Sequence, residues 1–535
     1  MIFHPSACSI LLLLLHGAYP SPARAHRADS ARLKHKDVDS PAPTSYSPTT
    51  ERPSLPIPTY SPTQSVKVAD FVAPSPPNCA PIGSRTSASP TVSTPVPTGA
   101  DDRRFPPPFA PMTPSFMPNG NGDDPTTDAP FSKVPTDVTF RRGHLKKDIK
   151  RLGIKVSKGI TVRVIANAGR FVNLASGDKS DLPFHSAPDG AAVFPLTNGG
   201  YVYVSNSEVQ DNRGGVYGVY MDDDGNVIDY KRLLSGTTRN CSGGATPWKT
   251  YVSCEEYGSG QCYQVDPDPA SKHHLLPEKT VLGGKGGGNY EAVACDNRDP
   301  SNPIFFLTED LKFGALRRYT PKPGDLPGWD TLHAPGGNID YLLFFADGYF
   351  TWTCDEEAAR KSQSLYYPNV EGIAFWENSL YFVSKKTFKM FTLDLDKMTY
   401  TSSSTNNGIV GDGEFKHQPD QLVRNSKHAS AQWLYFTEDG GRTPGVYAID
   451  TETGMKYSIF EAYGEKYFGD ETTGLAFSPD GSKMYACFQD CGCDATGDAD
   501  CGCLLEFTRD DGLSFDGETM ALKFHTLKEG DELEV

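Results

Sequence analysis

From about residue 185 the chain alternates apolar and polar positions with a period of two, broken at short intervals by glycine, proline, serine or aspartate. Such alternation predicts half-buried β-strands, and the punctuation predicts tight turns between them. One two-part unit recurs six times. A short apolar strand, usually with glycine, comes first: PDGAAVF, CSGGATPW, EAVACD, EGIAFW, DQLV and TTGLAFSPDG. A turn then leads to a second strand rich in Tyr, Phe and Val: YVYVSNSE, TYVSCEE, IFFLTED, LYFVSKK, LYFTEDG and MYACFQD. The second strands end at Glu208, Glu256, Glu309, Lys385, Glu438 and Gln489, in steps of 48, 53, 76, 53 and 51 residues. Periods near 50 with several short strands per unit are what four-stranded propeller blades produce. The long step holds YLLFFADGYFTWTC, expected as an insertion between blades. The expected fold is therefore all-β, a six-bladed β-propeller over residues 161–535 with little helix.

The repeat also aligns side chains. At or just before each first strand stand Asp189, Cys241, Glu291, Glu371, Asp420 and Glu471, five carboxylates and one thiol. Innermost propeller strands line the central channel, so equivalent positions form a ring. The second-strand ends form another acid-rich ring. Carboxylates converging on one axis repel each other unless cations lie between them. Calcium accepts many carboxylate oxygens, whereas a thiolate among them points to a transition metal. The alternative is that these acids only cap strand ends in solvent.

Composition changes along the chain. Met1 to Ala25 carries an apolar run, Ile10 to Leu15, and a small-x-small site at Ala23-Arg24-Ala25, which predicts a removable export signal. Residues 26–128 are dense in Pro, Ser and Thr and are expected to be a disordered stalk. Residues 129–160 form a basic lead-in. No later stretch approaches the ~20 apolar residues of a membrane span. The net charge of −16 argues against nucleic acid as a partner. Twelve cysteines fit an oxidising space, and the tail CFQDCGCDATGDADCGC lacks zinc-knuckle spacing, so its cysteines are expected in disulfides. A secreted, soluble and monomeric protein is the working expectation.

The motifs YVSNSE with Asn206, NCSGGATPWKTYVSCEE, YEAVACD, FLTED, VEGIAF, QPDQL, YFTEDGG and ETTGLAFSPDG, in that order, resemble those of the PhoX-type alkaline phosphatases and their uncharacterised relatives. The resemblance spans about Gly159 to Gly512, and the Cys-Ser-Gly-Gly segment is its most specific part. It implies a secreted phosphomonoesterase with a mixed iron and calcium cluster in the channel, hydrolysing small phosphate esters with metal assistance. It also implies that Cys241 is an iron ligand, and that Glu256, Glu291, Glu371, Asp420 and Glu438, with Glu255, Glu309 and Glu471, bind iron or calcium. With Cys241 as a thiolate, the ten other cysteines left after signal removal could all pair.

One departure bears on activity. The family usually has an arginine two residues before the glutamate of EG, and here that residue is Asn369, in YYPNVEG. A neutral amide forfeits a charge-assisted contact to phosphate, about 1.5–3 kcal/mol. Lys385, at the end of the same blade's second strand, could restore the charge if it points inward. Asn206, Asn369 and Lys385 are thus the candidate catalytic residues. Arg317 and Arg318 are expected on a surface strand, GGKGGG at Gly283 to Gly288 as a hairpin tip, and His185, His417 and His428 in ordinary structural roles. Two other functions fit an acid-lined channel: a non-catalytic calcium-binding propeller of the cell surface or matrix, and a hydrolase of another ester such as a lactone.

Overall fold

The computed structural model describes residues 147–149, 152–322, 324, 327–406, 409, 415–425, 433–490 and 502–515. The expected signal, the Pro/Ser/Thr-rich segment, most of the basic lead-in, and His428 lie outside them. Nearly all regular structure among the described residues is antiparallel strand, with one α-helix at Glu356–Tyr366. The first set of strands runs from Pro188–Pro195 through Tyr201–Ser207 and Gly214–Met221 to Val227–Thr237. The innermost strands of later sets are Asn240–Ala245, Gly288–Asp296, Val370–Trp376, Gln418–Arg424 and Thr472–Phe477. Each of the six packs beside the next, and the last packs beside the first, so they close a circle. The architecture is that of a β-propeller.

Closure uses both ends of the described chain. The last blade has Thr472–Phe477, Lys483–Phe488 and Cys503–Arg509, and takes its outer strand from Ile160–Asn167. Two blades are longer than the repeat suggests. The segment YLLFFADGYFTWTC does not stand between blades, because Asn338–Phe344 and Phe350–Thr353 extend the third blade outward. The fifth blade gains Ile154–Val156 and Lys147–Ile149 at its outer edge, so part of the basic lead-in is sheet. Aromatic side chains fill the spaces between blades: Phe306, Phe344, Tyr367, Phe382 and Phe391 are all buried in one cluster between the third and fourth. Fully burying a side chain of this size is worth about 1.5–3 kcal/mol.

Every innermost strand is bulged against its neighbour at the same place. The register shifts fall between Pro188 and Ala191, Asn240 and Gly243, Tyr290 and Val293, Val370 and Ile373, and Pro419 and Leu422. Asp189, Cys241, Glu291, Glu371 and Asp420 sit inside these bulges, which re-aim the side chain out of the ladder. The neighbouring inner strands also press close. A Cβ on Gly190 would lie 2.4 Å from the Ser242 Cα, and one on Gly372 only 2.3 Å from the Leu422 nitrogen. At these two seams glycine after the acid is what lets adjacent blades approach. In the last blade the shift lies between Thr473 and Ala476, so Gly474 takes the bulge position and Glu471 stands three residues ahead of it.

Among the described residues Cys241, Cys254, Cys262, Cys295 and Cys487 are free thiols. The pairing of all ten other cysteines is therefore not seen, and Cys487 of the cysteine-rich tail is a buried thiol beside the Tyr203 hydroxyl.

Candidate metal centre

The bulges bring four groups of potential ligands together, each with ligand atoms within 4.8 Å of one another: Asp189, Glu208 and Cys241; Cys241, Glu256 and Glu291; Glu291, Glu371 and Asp420; and Asp189, Asp420 and Glu471. Successive groups share a member, so the four form a closed chain around the axis. Six of the nine expected ligands take part: Cys241, Glu256, Glu291, Glu371, Asp420 and Glu471. Asp189 and Glu208, members of the two sequence rings, complete it.

Glu255, Glu309 and Glu438 lie elsewhere. The residue paired across each inner bulge is Ser207, Glu255, Glu309, Ser384 or Glu438. The residue after each is the true equivalent of Glu208 and Glu256, which makes the second ring Asp310, Lys385 and Asp439 in the third to fifth blades. A one-residue offset along a strand exchanges its faces. The three displaced glutamates instead serve loops. Glu255 accepts from the Thr238 and Gln261 amides, at 2.8 and 3.0 Å. Glu309 accepts from the Ala315 amide at 3.0 Å and pairs with Arg360 at 3.1 Å. Glu438 accepts from the Lys416 and His417 amides, at 2.9 and 2.6 Å, and from the Tyr447 hydroxyl at 3.1 Å.

The electrostatics of the ring are those of a cation site. Both carboxylate oxygens of Glu291 are buried without a hydrogen-bond partner, a costly arrangement unless an ion meets them. Burial, then the nearby Asp420 and Asp189 charges, push Glu291 well above the usual carboxylate range. Burial does the same to Asp189 and Glu471, and holds Asp420 at about 6 and Glu256 at about 8. The Cys241 thiol is raised well above its ordinary value by burial and by Asp189 and Glu291. Without a cation between them, these groups resist ionisation together. A hard, oxygen-rich set with one sulfur suits calcium together with a softer transition metal.

Two cations border the ring. Lys385 points inward, with Nζ 2.5 Å from Glu371 Oε1, 3.0 Å from Asp310 Oδ2 and 3.5 Å from Asp439 Oδ2. Burial opposes its charge, but Asp310 and Asp439 outweigh it and raise its pKa. Asn369 sits beside it, donating Nδ2 to Asp310 Oδ1 at 2.7 Å. Arg239 donates to Glu208 at 2.9 Å and also pairs with Glu256. Its side chain keeps 34% exposure, so the guanidinium reaches solvent at the ring's edge.

Neutral amides complete the surroundings. Gln421 and Gln489 donate to the two oxygens of Asp189, at 2.8 and 3.2 Å. Asn206 is fully buried and is used differently from a substrate contact. Its Nδ2 donates to the Cys241 and Ser242 carbonyls at 3.0 and 2.7 Å, and its Oδ1 accepts from Ser253 at 2.8 Å. It is a positioning residue for the Cys241 backbone. Arg317 is not on the surface: it is buried over Tyr290, with Nη1 donating to the Gly283 carbonyl at 3.2 Å. Arg239, Asp310, Asp439 and Gln421 are absent from the expected site residues, and Gln489 is expected only as a second-strand end. Arg239 directly precedes the Asn-Cys pair, a position that the repeat could have flagged.

Residues 229–330 match the family model described as Alkaline phosphatase PhoX. The solved Pseudomonas fluorescens PhoX, in complex with vanadate as a transition state analogue, matches with a TM-score of 0.51 at 14% identity, over 71% of this chain and 99% of that one. The PhoX resemblance holds. The matched PhoX-like segment contains Cys241, Glu256 and Glu291, and the fold likeness to PhoX extends the comparison to the rest of the propeller. A protein of unknown function from Bacteroides thetaiotaomicron matches with a TM-score of 0.37 at 13% identity, covering 66% of this chain and 79% of its own. A Xanthomonas campestris gluconolactonase matches with a TM-score of 0.35 at 15% identity, covering 70% of this chain and 97% of its own. No curated protein matches the chain in sequence.

Proposed function

We propose that the protein is a secreted, metal-dependent phosphomonoesterase whose ring holds iron through Cys241, Glu256 and Glu291 and calcium through the remaining carboxylates. The observation that carries this is the closed chain of four ligand groups, two of which share Cys241, with both Glu291 oxygens buried and unmet. Bound cations of this kind polarise phosphoryl oxygens and lower the pKa of water.

The chain's own residues supply the rest. Lys385 offers a fixed ammonium in place of the arginine that the family has at the position of Asn369, as a point charge rather than a planar fork. Arg239 offers the fork, and its partial exposure lets it turn from Glu208 and Glu256 toward an entering phosphate. Asn369 holds Asp310, and so keeps one of the three acids around Lys385 in place. Asn206 fixes the Cys241 backbone. Together they would anchor the phosphoryl group over the ring, with the leaving alcohol toward solvent.

Elemental analysis of protein purified without chelator, joined to an aryl phosphate assay before and after calcium removal, tests this function. Iron near stoichiometric amounts with calcium-dependent phosphate release is the expected result. Calcium alone with no turnover would replace it with a calcium-binding propeller.

A further inference from the structure

The blade that carries Cys241 and Glu256 holds two further thiols with no part in the ring. Cys254 lies on Tyr251–Tyr257 and Cys262 on Cys262–Val265, directly opposite each other in the antiparallel register. The Glu255 amide donates to the Gln261 carbonyl at 2.9 Å. That bond makes 255 and 261 a hydrogen-bonded pair and leaves 254 and 262 as the closer, non-hydrogen-bonded pair. Their sulfurs are 3.3 Å apart, and both side chains are completely buried. A bonded sulfur pair needs about 2 Å, with Cα atoms about 4.4–6.8 Å apart, which this strand position supplies.

We infer that Cys254 and Cys262 are a disulfide-forming site, a covalent tie across the two strands whose hairpin begins at Glu255 and Glu256. The chemistry is thiol–disulfide exchange with a disulfide-class oxidant, such as glutathione disulfide or an oxidised thiol oxidoreductase. One thiolate attacks the oxidant's disulfide, forming a mixed disulfide and releasing one reduced thiol. The other protein thiolate displaces the second, so two protein protons and two electrons leave and one sulfur–sulfur bond remains. Complete burial closes the folded pair to the oxidant, so the bond forms before the blade packs. Its role is to hold the strand that presents Glu256 at a fixed distance from its neighbour.

The seven residues between the cysteines contain no Lys or Arg, so both fall in one tryptic peptide. The test expresses the full-length chain through an oxidising secretory compartment, denatures it without reductant and alkylates it with N-ethylmaleimide. The expected peptide carries no label and is about 2 Da lighter than its reduced form, and cleavage after Glu255 or Glu256 leaves its halves joined. In the Cys262→Ser variant Cys254 becomes labelled, whereas Cys295→Ser leaves the tie intact. Label on both cysteines of the wild-type chain, or a link from either to another cysteine, overturns the inference.

Discussion

Two sets of acids stand one residue apart on the same strands and do opposite work. Glu256, Asp310 and Asp439 face the ring, while Glu255, Glu309 and Glu438 face the loops. Each loop-facing carboxylate meets one or two backbone N–H groups, and each is accounted for by the chain alone. The ring collects too many carboxylates for the donors available: Lys385 serves three acids and Arg239 two. Satisfied acids build structure, and surplus acids make a candidate cation site. Burial alone does not separate the two, since Glu438 and Glu256 are both held at about 8 by it. The difference lies in what faces the oxygens.

The comparison can be broken most sharply at Glu291. Glu291→Gln keeps the shape but removes a ligand charge, and aryl phosphate hydrolysis should fall by about a hundredfold or more, with metal content reduced and circular dichroism unchanged. Full activity in that variant would end the assignment of the ring. Lys385→Ala should cost about ten- to a hundredfold in kcat/KM, the size of one lost charged contact. Unaltered kinetics would show that Lys385 only balances Glu371.

Changes on the loop-facing side should act on stability instead. Glu438→Ala strips two amides and a tyrosine hydroxyl of their acceptor, and should lower the unfolding free energy by about 1–3 kcal/mol in a urea titration while leaving metal content intact. Loss of metal in that variant would place Glu438 with the ring after all.

The smallest expected effect is a pH slope. In chelator-treated protein Asp189, Glu291 and Glu471 have raised pKa values, as do Asp420, at about 6, and Glu256, at about 8. The folded state then keeps protons that the unfolded chain has released, so stability is greatest at acid pH and declines as pH rises from about 4 to 8. The melting temperature should drop by several degrees between pH 5 and 8, and calcium should flatten the slope. A melting temperature that rises over this range would contradict the protonated ring.

The repeat made the blades legible because each contributes an apolar strand, a turn and a second strand at near-constant spacing. The inner ring was legible for the same reason: four acids and Cys241 occupy the same bulge. The offset of Glu309 and Glu438 was not, because TED offers two adjacent acids and a period of two makes a one-residue choice decide the face. Lys385 inward and Arg239 at the edge depend on which side chains converge across blades, which no single repeat encodes. The outward strands of the third and fifth blades escaped for a similar cause. Their partners lie at sheet edges, where pairing follows from topology rather than local pattern.

The strand Ile160–Asn167 binds Cys503–Arg509, with side-chain contacts such as Thr161 to Asp510 spanning 349 residues. A circle closed by so distant a pairing cannot form before residues 503–509 are made, and long-range pairing is the slow part of folding. Asp189 and Glu471 meet where the last inner strand packs beside the first. A chain stalled before residue 503 would carry all eight candidate ligands, Asp189 to Glu471, yet lack the strand that joins the last blade to Ile160–Asn167.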